Sequence, residues 1–143
     1  MSFDLKIQNG DLSLNSSGLI EPVVGNAKLR QDILKILVTD SGSNPFHPSY
    51  GSYLGKLKIG GIADDRIINL DIEKSVRNAV NYLMQLQRSQ SQRQSLSAGE
   101  VVAELLNVEV SRDENDPRAY NVFVSVLTGE LTELSTSLAV KIA

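Results

Sequence analysis

The chain has 143 residues, no cysteine and one histidine, His47. Disulfides, thiolate nucleophiles and cysteine metal sites are excluded, and a histidine relay or zinc cage lacks its ligands. With 41% hydrophobic and 22% charged residues and a net charge of −3, residues 1–143 are expected to form one soluble domain with its own core.

Charge is unevenly spread. Residues 1–63 hold six basic and five acidic side chains, 64–95 hold five and four, and 96–143 hold three against eight. No segment has the basic density a nucleic-acid binder needs to release counterions. The acidic third has two readings, a face for a basic partner or a solvated strand face. Apolar runs are too short for a membrane span, and MSFDLKIQNG is not a secretory signal, so a cytoplasmic setting is expected.

Phe3, Leu5 and Ile7 alternate with Ser2, Asp4 and Lys6, predicting a strand with one buried face. Asn9-Gly10 predicts a hairpin turn, after which Leu12 and Leu14 resume the alternation. Ser16-Ser17-Gly18, Pro22 and Gly25 close this amino-terminal hairpin. A helix capped by Asn26 follows, with Leu29, Ile33, Ile36 and Leu37 as its apolar stripe. Lys28, Arg30, Gln31, Asp32 and Lys35 fill its other side, and it should stop near Thr39. The stretch from Ser43 to Tyr53 reads as an ordered loop pinned by Phe46, Tyr50 and Tyr53. A short helix is expected over 52–59, ended by Gly60-Gly61.

Ile68, Ile72, Val76, Ala79, Leu83 and Leu86 form a sustained helical stripe, predicting a helix over 67–90 that is about 36 Å long. Its tail, 85–95, is rich in glutamine, serine and arginine and reads as frayed. Ser97-Ala98-Gly99-Glu100 fits a capping box. Three alternating segments follow. Leu106, Val108 and Val110 share one face of the first, and Tyr120, Val122, Val124 and Val126 one face of the second. Leu134, Leu138, Val140 and Ile142 alternate with Glu133, Ser137, Ala139 and Lys141 in the third. Turns at Asp113 to Pro117 and Thr128-Gly129 make this an antiparallel meander. The expected class is α+β, with two main helices packed on a three-stranded sheet.

Catalytic templates fit poorly. Gly55 to Gly60 has the glycine spacing of a phosphate loop, but Gly61-Ile62 stands where Lys-Ser/Thr is required. Asp64-Asp65 suits a helix amino terminus, and Asp113, Glu114 and Asp116 sit at a hairpin tip. His47 reads as a packing or hydrogen-bonding residue, and no spacing indicates a triad. What remains is a strand edge. The segment 132–142 has no proline and one lysine, Lys141, so it carries few of the usual blockers. Two outcomes stay open for it, pairing with an added strand from another chain or closure by the amino-terminal hairpin.

Taken in order, the alternating start, the helix Lys28 to Leu37, Thr39, Gly42, the loop Pro48-Ser49-Tyr50-Gly51-Ser52-Tyr53-Leu54, the long helix, Glu100 and the meander resemble one known family. It is the small baseplate wedge subunit family of contractile-tailed phages, related to a type VI secretion baseplate subunit. The resemblance implies a structural protein of the virion tail baseplate, assembled in the host cytoplasm, with no enzymatic activity and no cofactor. It implies that the chain helps connect baseplate to sheath and templates the first sheath ring by strand addition. Its partners would be the tail sheath protein, larger wedge subunits and tail tube or hub neighbours, in a sixfold arrangement. Family members commonly carry Glu-Pro-Arg after the long helix; here Glu100 is followed by Val101 and Val102. The expected partner-binding residues are Tyr50, Gly51, Glu100, Glu133, Ser137, Ala139 and Lys141; no catalytic or metal residue is expected. The alternatives are a type VI secretion component and, in another class, a lysozyme-like glycan hydrolase using Asp64 or Asp65 with Glu100.

Overall fold

The structure is a computed structural model and describes residues 2–56 and 65–142. Helix α1 spans Gly25–Val38. Its stripe of Leu29, Ile33, Ile36 and Leu37 is at most 1% exposed. Each such side chain contributes about 1.5–3 kcal/mol of burial. The predicted cap is displaced. Val24 holds the cap position without a side-chain hydrogen bond, and Asn26 lies inside the first turn, because Gly25 enters the helix at φ +60°. Lys28 is buried too, since its ammonium pairs with Asp32 one turn on at 2.7 Å. The helix ends where expected, with the amide and the hydroxyl of extended Thr39 both donating to Lys35 O.

Helix α2 spans Asp65–Ser91, with Ile68, Ile72, Val76, Ala79, Val80 and Leu83 buried. The expected frayed tail is instead ordered helix through Ser91, because Gln87 is buried and bonds across to another element. Of the helix expected over 52–59, the described part is a single 3-10 turn, Leu54–Lys56. The rest, with the phosphate-loop spacing, Gly60-Gly61 and Asp64, lies outside the described residues.

The amino-terminal strands are short. β1 (Asp4–Leu5) pairs with β4 (Pro22–Val23), and β2 (Ile7–Gln8) with β3 (Asp11–Leu12). Asn9 and Gly10 both take positive φ, 54° and 82°, as the tight turn requires. The expected buried face does not form. Phe3, Leu5, Ile7, Leu12 and Leu14 are all exposed, Phe3 by 68%, because no described layer covers the arm.

The meander runs β5 (Val102–Arg112), β6 (Ala119–Thr128) and β7 (Glu133–Lys141), in spatial order β5-β6-β7 and antiparallel throughout. Both helices lie on one of its faces, α2 over β5 and α1 toward β7. Tyr120, Val122, Val124 and Val126 of the central strand are buried beneath them. One placement in β5 is corrected. Register shifts flank Glu104 and Leu105, so Leu105 packs on the core and Leu106 turns to solvent. The α+β class is as expected.

Candidate functional site

The open border of β7 is built by register. The amide of Thr128 donates to Thr132 O and that of Ile142 to Arg118 O, both at 2.9 Å, at opposite ends of an unbroken pairing. Hydrogen-bonded and non-bonded pairs alternate in an antiparallel ladder. Even-numbered residues of β7 therefore turn their backbone groups toward β6. The N–H and C=O groups of Glu133, Ser135, Ser137, Ala139 and Lys141 point the other way, along the border. All five side chains are exposed, on the sheet face opposite the helices. No described strand pairs with this border, because the amino-terminal strands pair only among themselves. Closure by the hairpin is the outcome the structure rejects.

The opposite border, on β5, differs. Its two irregularities break the row of backbone groups, which twists and blunts an edge. β7 has no such break over nine residues. Beside it lies a depression of about 180 Å³, walled by Leu37 and Val38 of α1, by Leu54 and Gly55, and by Leu138 and Val140 of β7. The sequence hid this wall, since its parts come from three separate segments.

Tyr50 and Gly51 act by placing that wall. Gly51 stands at φ +120°, and a Cβ there would lie 2.5 Å from Thr39 O. Only glycine lets the loop come this close to the end of α1. Ser52 then exchanges hydrogen bonds with Thr39 O and Ser41 N, its hydroxyl donates to Leu37 O at 2.6 Å, and Leu54 is buried. Tyr50 is half-buried against the core beside Lys35. Burial pushes its hydroxyl above the ordinary tyrosine range. The other two aromatics do not pin the loop, for Phe46 is 88% and Tyr53 55% exposed. His47 is exposed in the same turn.

Glu100 lies apart from the β7 border, in a closed polar cluster. It is 1% exposed. One carboxylate oxygen accepts from the Ser2 amide and hydroxyl, and the other from the Ser97 hydroxyl at 2.7 Å. Burial alone would raise its pKa, but the bonds from Ser2 and Ser97 outweigh burial and hold it below the usual glutamate range. The capping box is thus altered, since Ser97 gives its hydroxyl to the carboxylate and caps no amide. The Gln87 amide clamps the same segment, donating to Glu100 O at 3.0 Å and accepting from Val102 N at 2.9 Å. Gln87 and Ser2 escaped the sequence reading. The stripe Val80, Leu83, Gln87 steps by three and four, and that spacing was the available signal.

Three of the other candidate acids are committed locally. Asp65 accepts from Arg112 at 3.0 Å and from the Tyr120 hydroxyl at 3.2 Å. At the hairpin tip, Asp113 and Asp116 accept backbone amides of Asn115 and Arg118, and Asp116 also pairs with Lys141 at 3.6 Å. From Asp65 to Gln87, which touches Glu100, α2 spans roughly 33 Å at 1.5 Å per residue. Glycosidase carboxyls stand about 5–9.5 Å apart. Asp65 and Glu100 are not such a pair.

No family model matches the chain, and no curated protein matches it. A solved structure from Geobacter sulfurreducens, described as a "putative tail lysozyme", has a similar fold, with a TM-score of 0.59 at 17% identity. The alignment covers 80% of this chain and 88% of that one. The shared property is the fold.

Proposed function

We infer that the chain is a structural subunit of a contractile tail, at the baseplate, and works by lending the β7 border to an extended segment of the tail sheath protein. The observation that carries this reading is the unbroken outward row of backbone groups from Glu133 to Lys141, with no strand upon it among the described residues. An incoming strand would gain main-chain hydrogen bonds there, with alternate side chains entering the depression beside α1. The likeness in fold to a protein described as belonging to a tail supports the setting. Larger wedge subunits, tube or hub neighbours and a sixfold arrangement belong to the same proposal, as does a place in the virion.

The experiment places proline at Ser137 or Ala139. Both amides point outward, so proline removes a docking donor and spares the β6 ladder. The expected result is a folded variant, by circular dichroism and urea unfolding, that no longer seeds sheath polymerisation. Normal seeding by the folded variant excludes the border as the docking row.

The description of the fold neighbour favours one other reading, a glycan hydrolase. The separation of Asp65 from Glu100 and the enclosure of Glu100 speak against that pair. Release of fragments from cell-wall polymer by the purified chain, lost in Asp65→Asn or Glu100→Gln, would reinstate it.

A further inference from the structure

The β7 border has a sequence that complements itself. Ser137 is central, with Ser135 and Ala139 two residues to either side and Glu133 and Lys141 four residues to either side. A second copy laid antiparallel on this border, with a two-fold axis through Ser137, sets Ser137 against Ser137. Ser135 then meets Ala139, and Glu133 meets Lys141 at both ends. Each of these pairs joins residues whose backbone groups already point outward, so every one is a hydrogen-bonded pair of the new ladder. A shift by one residue would set outward groups against groups already spent on β6. The three central side chains are small and exposed, so the two backbones can meet. On the other face, Leu138 meets Thr136 and Leu134 meets Val140, extending the apolar layer.

We propose that the free chain pairs with a second copy of itself through β7, forming a continuous six-stranded antiparallel sheet with an isologous interface. Charge complementarity selects this occupant. Opposite charges at directly opposed strand positions attract, and like charges repel. Lys141 is largely free for the contact, being 79% exposed with Asp116 its neighbour at 3.6 Å, while Glu133 also accepts the Ser125 hydroxyl at 2.6 Å. The pairing covers an edge that would otherwise invite disordered aggregation. It rests on the open border and not on which segment later takes it. A second copy and a sheath strand use the same groups and exclude one another.

The test is sedimentation equilibrium of the full chain over a concentration series, with the charge-reversed variants Glu133→Lys and Lys141→Glu. The wild type should show a monomer–dimer equilibrium. Each variant alone opposes like charges twice and should dimerise about tenfold more weakly or worse. Mixing the two variants restores both attractive pairs, so a heterodimer of near wild-type affinity should return, which also shows that both variants fold.

Register is tested by oxidation, because the chain has no cysteine of its own. Ser137→Cys should cross-link to its copy, since Cα atoms of such a pair stand about 5.5 Å apart, within disulfide reach. Ser135→Cys should not, because its copy lies four residues along, about 13 Å away. A wild type that stays monomeric throughout the series overturns the proposal. So does a dimer that ignores both charge reversals and does not cross-link at position 137. That outcome would move the contact to the exposed apolar arm. Sheath seeding is read in a separate assay, so either idea can fail alone.

Discussion

The amino-terminal arm and the carboxy-terminal meander are written in the same alternating pattern, and they end in opposite environments. Phe3, the first aromatic of the arm, is 68% exposed; Tyr120, which opens the apolar row of β6, is wholly buried. Alternation fixes that a segment has one apolar face. Burial needs a second layer, and α1 and α2 supply one to the meander. The arm is held mainly by polar contacts. Lys35 pairs with Asp4, Gln31 accepts from Ile7 N at 2.9 Å and donates to Leu5 O at 2.8 Å, and Ser2 bonds to Glu100. The meander is a core, while the arm is a strap.

The largest expected effect lies in the meander. Tyr120→Ala removes a fully buried ring and the hydroxyl that donates to Asp65. Urea unfolding should show a loss of about 3–5 kcal/mol. A loss under 1 kcal/mol would mean that the helices do not press on β6, and the contrast with the arm would dissolve.

The strap should come next. Glu100→Ala leaves the Ser2 and Ser97 donors without their acceptor in a buried place, at a cost of about 1–3 kcal/mol. The sign of its pH dependence follows from the lowered pKa. The carboxylate's contribution is complete above the unfolded glutamate value near 4.3, and it is lost as pH falls through the lower folded value. Wild type should therefore lose stability on acidification more steeply than Glu100→Gln. Equal slopes would show that the amino terminus leaves Glu100 in solution.

Much of this division follows from local pattern. The stripe of Leu29, Ile33, Ile36 and Leu37 and the row of Tyr120 to Val126 mark real buried faces, because helices and sheets impose fixed periods on any apolar set. Four of the five exposed border residues of β7, Glu133, Ser137, Ala139 and Lys141, were legible for the same reason. What local pattern misses is whatever depends on distant chain. Ser2 meets Glu100 across 98 residues, and the wall beside β7 joins α1, the Leu54 turn and the last strand. The exposed place of Leu106 comes from a register shift with no glycine or proline to announce it. Which β7 amides point outward depends on the partner strand, and no single-strand pattern contains that.

The smallest effect sharpens the comparison most. Phe3→Ala deletes an aromatic ring as Tyr120→Ala does, yet most of that ring is already in water. The stability change should fall within about 0.5 kcal/mol. Apolar rings are costly to lose only where their removal leaves unfilled space or exposes new apolar surface. At Phe3 neither follows, and the backbone of the arm keeps its bonds to Gln31 and Glu21. A loss of 2 kcal/mol or more in the free chain would mean that the Phe3 ring is buried against the body in solution and anchors the arm there. The strap would then be a second core, and the difference between the two regions would be one of strand length alone.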